Sequence, residues 1–295
     1  MRFCVVKKPI STIYGHPEEV MESKGQMVSA IADEGLCGML LEVTGKETRG
    51  YLPVRTFYGY TGYIPGEDVC QMDREQAMEW ENSQLKVVGG FCVDVLSLPR
   101  VQGVRILSLF RGSLVQVLDW DSEEAGWAHV RLADGRCGYM RNQYLWDKMF
   151  SQKGVWEGRV CQRQIWDEAA FRQDVVETAK TYMGVQYRWG GRSTAGIDCS
   201  GFTSTCYMLQ GILIYRDAKI VEGYPVCQIR PEDKKPGDLL YFPGHIALYM
   251  GDGMYIHSTG KTGSGGVVYN SLCLESPWYR QDLKESLYAV GSIFA

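Results

Sequence analysis

Long apolar segments are missing from this sequence, and their absence bears first on where the protein acts. No stretch reaches the length of a membrane span, so an integral membrane protein is not expected. Near the start, only four apolar residues separate Arg2 from Lys7, which is too short a run for a secretory signal. We therefore expect a cytoplasmic protein with no membrane partner.

The spacing of potential metal ligands is also unfavourable. The ten cysteines contain no CxxC or CxxxxC pair and only four histidines are present, so a structural zinc site is not expected. Ten cysteines without a secretory leader suggest free thiols in a reducing compartment. The net charge of −4 and the lack of a basic stripe give no reason to expect nucleic acid as a partner. No cofactor is implied, and the oligomeric state is left open.

Proline is scarce, whereas glycine and aromatic residues are common. Ten prolines stand against 34 glycines and 12% aromatic residues, a composition that favours short strands and tight turns over a helical bundle. The 295 residues exceed the usual size of one domain. The sequence therefore predicts a β-rich chain of two or three domains.

Two consecutive segments carry short apolar runs separated by glycine-bearing turns. The first ends in an aromatic run at 58–65, and the second has four apolar runs within 93–140, the last two containing Gly-Trp and Gly-Tyr. Regularly spaced short strands of this kind predict small β-barrels. The order of the elements resembles bacterial SH3 domains, which implies SH3-like domains at residues 1–80 and 81–150.

A third domain is expected at residues 151–295, and Cys199 is its first candidate for chemistry. Asp198 is suited to cap a helix that begins at Cys199 and presents an apolar face from Phe202 to Leu209. In the first helical turn, unpaired N–H groups and the helix dipole favour a thiolate, so we expect a lowered pKa for this thiol. For Cys199 taken alone, a buried and inert cysteine is the alternative interpretation.

Two of the four histidines fall on one predicted hairpin. If 251–253 form a three-residue loop, Ala247 lies opposite His257, and the side chains of His245 and His257 share a face about 7 Å apart. Thiol acyl transfer needs a nucleophile, a base and a polar group that orients the base. We therefore predict Cys199, His245 and His257 as the catalytic residues.

These motifs together resemble the NlpC/P60 peptidases. In order, the sequence has a Tyr-x-x-Gly-Gly approach at Tyr187, an Asp-Cys-Ser-Gly helix start, a Gly-Asp-Leu strand, a His-Ile-Ala-Leu-Tyr strand and a polar residue twelve positions after its histidine. The resemblance covers about residues 155–295 and implies an α+β, papain-like catalytic domain behind two SH3-like β-barrels. The whole chain resembles the γ-D-glutamyl-L-diamino acid endopeptidases, which process murein peptides.

The resemblance also implies a substrate and a set of contacts. Cys199 would attack the carbonyl between γ-D-glutamate and the diamino acid of free L-Ala-γ-D-Glu peptides during cell-wall recycling, with His245 as base. Asp198 would bind the substrate amine. Ala218, after Arg216-Asp217, lacks the hydroxyl that the family carries there. The residues implied to contact the substrate are Asp198, Ser200, Tyr187, Trp189, Asp217 and either Tyr58 or Tyr60.

Two other interpretations stay open. The same fold could carry different acyl chemistry, as an amidase or a transpeptidase, and only product analysis separates these from hydrolysis of the γ-D-glutamyl bond. Alternatively, the SH3-like domains could bind the cell wall in front of an inactive third domain. The presence of Cys199, His245 and His257 argues against that interpretation, because a binding module has no need of the three together.

Overall fold

The computed structural model describes residues 2–121 and 124–294. The chain divides into two units, Met1–Cys161 and Gln162–Ala295. The described residues form a mixed, sheet-rich fold with few helices. Among the described helices, none is both long enough and apolar enough to cross a membrane.

The first unit begins with a seven-stranded antiparallel sheet and a separate two-stranded hairpin. Alternate side chains of its strands are buried, as in Tyr51–Thr56, where Leu52 and Val54 point into the core. The strands of this part of the chain are β1 (Arg2–Val6), β2 (Ile10–Tyr14), β3 (Val20–Ser23), β4 (Gln26–Ser29), β5 (Ile31–Leu36), β6 (Leu40–Val43), β7 (Tyr51–Thr56), β8 (Thr61–Pro65) and β9 (Val69–Met72).

The turn between β7 and β8 carries the two tyrosines singled out from the sequence. The sheet order is β5-β2-β8-β7-β6-β1-β9, with β3 and β4 as the separate hairpin. In the turn, Thr56 N–H donates to the Tyr60 carbonyl and Gly59 N–H donates to the Thr56 carbonyl. Gly59 has a φ of 83°, a conformation that glycine adopts without steric cost. The glycine next to Tyr58 therefore allows the chain to reverse at this point.

A second seven-stranded antiparallel sheet follows in the first unit. It buries an apolar core that includes Val95, Leu109, Val115 and Val130. The four strands predicted within 93–140 are confirmed, and the structure adds three more. The strands are β10 (Leu85–Val88), β11 (Cys92–Leu96), β12 (Arg105–Phe110), β13 (Leu114–Trp120), β14 (Trp127–Arg131), β15 (Cys137–Arg141) and β16 (Leu145–Asp147).

Two of the three added strands, β10 and β16, depend on pairing between distant segments. The sheet order is β12-β11-β15-β14-β13-β10-β16. β10 and β16 come from opposite ends of this segment and pair through Lys86 and Asp147. Helix α1 (Arg74–Asn82) precedes the sheet and begins with a capping box of Asp73 and Gln76. A short helix, α2 (Gly154–Glu157), follows β16.

The second unit is built on a six-stranded antiparallel sheet with helices beside it. Every residue of the helix that begins at Cys199 is buried, and this helix packs against the strands that carry His245 and His257. The elements are α3 (Glu168–Lys180), β17 (Arg192–Ser193), β18 (Gly196–Ile197), α4 (Cys199–Leu209), β19 (Cys227–Ile229), β20 (Leu239–Phe242), β21 (His245–Gly251), β22 (Met254–Thr259), β23 (Gly266–Ser271), α5 (Gln281–Ser286) and β24 (Ala289–Ser292).

The hairpin of β21 and β22 has the register that the sequence predicted. The order of the sheet is β19-β24-β20-β21-β22-β23. Leu248 pairs with Ile256, which places Ala247 opposite His257. His245 is then a diagonal neighbour of His257 on the same face, because side chains alternate along a strand.

The predicted loop of this hairpin is wrong, although the register is right. Gly251 pairs with Met254, so the loop has two residues, Asp252 and Gly253, rather than three. Their φ values of 49° and 73° are both positive, as a type I′ turn requires. An irregularity in pairing between Tyr249 and Gly251 absorbs the additional residue. The bulge and the shorter loop compensate each other, and the register does not change.

Candidate active site

The start of α4 is fixed by Asp198, as predicted. The Asp198 carboxylate accepts a hydrogen bond of 2.6 Å from the backbone N–H of Gly201 and caps the helix. Cys199 is consequently the first helical residue, and it is 7% exposed. A Cβ at Gly201 would lie 2.1 Å from the Gly191 carbonyl oxygen. Only glycine therefore allows the helix start to approach this segment so closely.

A buried guanidinium, that of Arg216, occupies the other side of Asp198. Arg216 Nη1 lies 3.0 Å from Asp198 Oδ1, and Nη2 lies 3.0 Å from Oδ2. Nη1 also donates to Ser200 Oγ at 2.9 Å, and Nη2 donates to the Gly190 carbonyl at 3.1 Å. Arg216 is 2% exposed. The charge of Asp198 is thus compensated by a buried positive charge.

Three polar side chains run diagonally across β21, β22 and β23. His245 Nε2 lies 2.6 Å from His257 Nδ1, and His257 Nε2 lies 2.9 Å from Asn270 Oδ1. His257 pairs with Val268, so Asn270 is its diagonal neighbour in the adjacent strand. The structure brings His245 and His257 together, as the hairpin predicted. It also adds Asn270, which the sequence analysis did not single out.

The Cys199 thiol lies at the beginning of β21. The backbone N–H groups of Ile246 and Ser200 both act to lower the pKa of this thiol, as N–H groups close to a sulfur do. Ile246 directly follows His245 in the strand, and α4 packs against β21. Cys199, at the start of α4, therefore lies near the beginning of the strand that carries His245.

The pKa of the Cys199 thiol is raised rather than lowered. Burial raises this pKa to about 11, and the charge of Asp198 adds to the effect, whereas the Ile246 N–H and the Arg216 charge oppose it. The expectation of a lowered thiol pKa is therefore wrong. Burial removes the hydration of the thiolate, and this loss of free energy is larger than the stabilisation that the N–H groups of the first turn provide. The thiol of the free protein is protonated at neutral pH.

Both histidines of the site are neutral at neutral pH. Burial lowers the pKa of His245 to about 4, and the positive charge of Arg280 acts in the same direction. Burial and the neighbouring His245 lower the pKa of His257 to about 3, although the hydrogen bond to Asn270 opposes this change. An uncharged imidazole has an unprotonated nitrogen, so it is able to accept a proton.

The predicted substrate contacts of the second unit differ in exposure. Burial raises the pKa of Tyr187 to about 12, and the negative charges of ionised Cys199 and Asp198 act in the same direction. Trp189 is 64% exposed. Asp217 is half-buried and follows the anchored Arg216 in the chain. The Tyr187 side chain is thus partly buried, whereas the Trp189 ring is accessible to solvent.

Tyr58 and Tyr60 belong to the first unit, where Tyr58 has a buried acidic partner. The Tyr58 hydroxyl donates to Asp33 Oδ2 at 2.6 Å, and the Tyr60 N–H donates to Thr56 Oγ1 at 2.9 Å. Asp33 is fully buried and was not singled out from the sequence. Two adjacent acidic residues inside a predicted strand segment, Asp33 and Glu34, are the signal that could have identified it, because acidic side chains are rarely buried without a partner.

The chain offers other thiols for comparison with Cys199. All ten cysteines are free. Cys206 is buried on the same helix, whereas Cys227 and Cys273 are exposed in the same unit. Within 2–121 and 124–294, no group of three or more His, Cys, Asp or Glu side chains is arranged to hold a metal ion. Cys227 is therefore a suitable exposed reference for tests of Cys199.

Comparisons with known proteins converge on this part of the chain. A model of the NlpC/P60 family matches residues 184–283, which include the cysteine, both histidines and the asparagine. Dipeptidyl-peptidase 6 of Lysinibacillus sphaericus is 37% identical over 291 residues, 98% of this chain and 99% of that protein. Gamma-D-glutamyl-L-lysine dipeptidyl-peptidase of Bacillus subtilis is 38% identical over 104 residues, 30% of this chain and 33% of that protein. The crystal structure of an NlpC/P60 family protein from Bacillus cereus has a similar fold, with a TM-score of 0.71, 18% identity and 98% of each chain covered.

Proposed function

Because this chain belongs to the NlpC/P60 family of cysteine peptidases, we propose that it cleaves the bond between γ-D-glutamate and a diamino acid in murein peptides. The names of the Lysinibacillus and Bacillus relatives support this substrate class. The observation that carries the chemistry is the meeting of the Cys199 thiol with the strand that presents His245, which in turn contacts His257. This arrangement supplies a nucleophile, a base and an orienting group.

In the proposed reaction, His245 removes the thiol proton as the sulfur of Cys199 attacks the carbonyl carbon of γ-D-glutamate. The carbonyl oxygen becomes an oxyanion, to which the Cys199 N–H at the helix start can donate. Protonated His245 gives its proton to the diamino acid nitrogen, the C–N bond breaks and a thioester remains. Water, deprotonated by His245, then attacks the thioester, releases the glutamyl peptide and restores the thiol.

The resting state of this reaction is a neutral thiol beside a neutral imidazole. The raised pKa of Cys199 and the lowered pKa of His245 both favour that state over an ion pair. Proton transfer becomes favourable only as the negative charge of the sulfur passes to the carbonyl oxygen of the substrate. His257 keeps its hydrogen bond to His245 and holds the ring in one orientation during both proton transfers.

The proposed substrate contacts of the second unit are of two kinds, acidic side chains for the amine of L-Ala and an aromatic surface for the peptide. Asp198, which also pairs with Arg216, and Asp217, the next residue after that arginine, are proposed to attract the L-Ala amine. The exposed ring of Trp189 offers an apolar surface for the peptide. The other proposed contacts in this unit are Ser200 and Tyr187.

Two SH3-like domains are proposed at residues 1–80 and 81–150, both within the first unit. The peptidase domain is proposed at residues 151–295. Two successive seven-stranded antiparallel sheets support this assignment. Tyr58 or Tyr60 would contribute to recognition of the N-terminal end of the peptide. The Tyr58 hydroxyl donates to buried Asp33, which fixes the position of that hydroxyl. Free murein peptides in the cytoplasm would be the substrates, as in cell-wall recycling.

The experiment that tests this function is mass spectrometry of the products from L-Ala-γ-D-Glu-meso-diaminopimelate. We expect L-Ala-γ-D-Glu and free diaminopimelate from the wild type and no product from Cys199→Ala. Cys227→Ala removes an exposed thiol of the same unit and is expected to keep full activity. Transfer of the glutamyl group to an added amine would identify a transpeptidase. Binding of murein without any cleavage would favour the wall-binding alternative.

A further inference from the structure

The geometry points to Asn270 as a positioning residue that sets the protonation pattern of both site histidines. This inference rests on the proposed thiol chemistry. Asn270 lies in β23, two strands away from His245. It hydrogen-bonds to His257, and His257 in turn contacts His245. Its effect must therefore pass through the two imidazole rings.

The orientation of the Asn270 amide is fixed by a backbone carbonyl. Asn270 Nδ2 donates to the carbonyl oxygen of Trp278 at 3.0 Å. The same carbonyl accepts a hydrogen bond of 2.9 Å from the Ser271 N–H, which holds it in place. A flipped amide would set its oxygen against the Trp278 oxygen, and two acceptors cannot bond to each other. Asn270 Oδ1 is therefore the atom that faces His257.

An amide oxygen facing His257 determines where both rings carry their protons. Asn270 Oδ1 only accepts, so His257 Nε2, 2.9 Å away, must carry a proton and donate it. The neutral His257 ring has one N–H, which leaves its Nδ1 as an acceptor. His245 Nε2, 2.6 Å from that atom, must then be the donor. His245 Nδ1 is left without a proton.

The unprotonated Nδ1 of His245 is the atom that takes the proton of the Cys199 thiol. In the opposite tautomer, Nδ1 would already carry a proton and could not act as a base. Asn270 achieves this without adding charge, whereas a carboxylate would raise the pKa of both histidines. The charged groups that influence the pKa of the rings are Arg280, which lowers it, and Asp282, which raises it; the Arg280 side chain donates a hydrogen bond to Asp282.

The direct test is an NMR measurement of the imidazole nitrogens at neutral pH, through long-range proton–nitrogen correlations. In the wild type, His245 and His257 are both expected to carry their proton on Nε2. In Asn270→Leu, which keeps the size but offers no acceptor, His257 is expected to populate the Nδ1–H form. A proton on Nδ1 of wild-type His245 would overturn the inference. This readout needs no turnover, so it stands even if the proposed substrate is not cleaved.

Kinetics on the murein peptide then separate positioning from simple structural support. Asn270→Leu is expected to lower kcat by roughly 10-fold to 100-fold with little change in KM, because only proton transfer is affected. Asn270→Asp keeps an acceptor for His257 but loses the donor to the Trp278 carbonyl, so it is expected to restore only part of kcat. Its charge should also move the acidic limb of the pH profile upward, by raising the pKa of the histidines.

Tyr269→Leu alters the neighbouring residue of the same strand and is the matched control. Its kcat and histidine tautomers are expected to equal those of the wild type. Wild-type kcat in Asn270→Leu would contradict the positioning role. So would a loss of kcat in Asn270→Leu with the histidine tautomers unchanged, since the loss would then not pass through the rings.

Discussion

Arg216 reaches both carboxylate oxygens of Asp198, with each terminal nitrogen 3.0 Å from a different oxygen. Both side chains are buried, and Asp198 also caps α4 through the Gly201 N–H. The pair therefore holds the first turn of the helix, on which Cys199 lies. Removal of either partner would leave an uncompensated charge in the interior, which is costly.

Arg216→Met is accordingly expected to lower the free energy of unfolding by about 3 to 5 kcal/mol, because Asp198 loses its buried counterion. The double variant Asp198→Asn with Arg216→Met leaves no unpaired charge and should regain part of that stability. Urea unfolding of the two single variants and the double variant measures the coupling. Losses that simply add in the double variant would show that the two charges do not interact.

His257→Ala is expected to lower kcat on the murein peptide by about 10²-fold or more, in the range of a lost acid–base element. KM should change little, because the buried His257 contacts His245 rather than the substrate in the proposed site. His129→Ala, at a histidine that stacks on Tyr139 in the first unit, is the control and should retain activity. An unchanged kcat in His257→Ala would show that this histidine has only a structural role.

Folding stability is expected to fall as the pH is lowered below 6.5. Burial lowers the pKa of His245 to about 4 and that of His257 to about 3 from an ordinary value of 6.5. Between these values the unfolded chain binds more protons than the folded one, so lower pH favours unfolding. The loss between pH 6.5 and pH 5 is on the order of 2 kcal/mol for each histidine.

Thermal or urea unfolding at these two pH values checks this dependence. His257→Gln replaces one of the two titrating groups and is expected to show a shallower loss of stability over the same range. A wild-type protein whose stability is the same at pH 6.5 and pH 5 would mean that the histidines titrate as they do in the unfolded chain.

Several features of the site could be predicted because they depend on local sequence. The Asp198 cap, the helix beginning at Cys199 and the facing of His245 and His257 all follow from patterns within a few residues. The hairpin register was predicted despite a wrong loop, because the bulge before Gly251 compensates the shorter turn. The bulge adds one residue to β21 and the turn has one residue fewer than predicted, so the pairing of β21 with β22 is unchanged.

Other features depend on contacts between distant segments and had no local signal. Asn270 becomes part of the histidine chain only because β23 pairs with β22, and the sequence analysis did not consider that strand. Arg216 reaches Asp198 from 18 residues further along the chain. The thiol pKa depends on how deeply β21 and its neighbours bury Cys199, whereas a helix start seen alone predicts the opposite direction.

The raised thiol pKa gives a prediction that does not depend on the substrate. Alkylation of Cys199 by iodoacetamide, followed by peptide mass spectrometry, is expected to accelerate continuously with pH up to about 11, because only the thiolate reacts. The exposed Cys227 of the same unit supplies an internal reference for reagent access. A Cys199 rate that has already reached its plateau at pH 7 would indicate a thiolate in the resting protein.

The last prediction concerns recognition of the L-Ala amine. The proposed attraction for the amine comes from Asp198, which is paired with Arg216, and from Asp217. An N-acetylated peptide lacks the positive charge, and the unmatched acidic group should lower kcat/KM by roughly 5-fold to 150-fold relative to the free peptide. Asp217→Asn should reduce this discrimination by slowing the free peptide more than the acetylated one. Glu222→Gln, at another acidic residue of the second unit, is the charge-matched control and should preserve it. If the wild type cleaves both peptides equally well, the amine is not recognised and the preference for free murein peptides loses its physical basis.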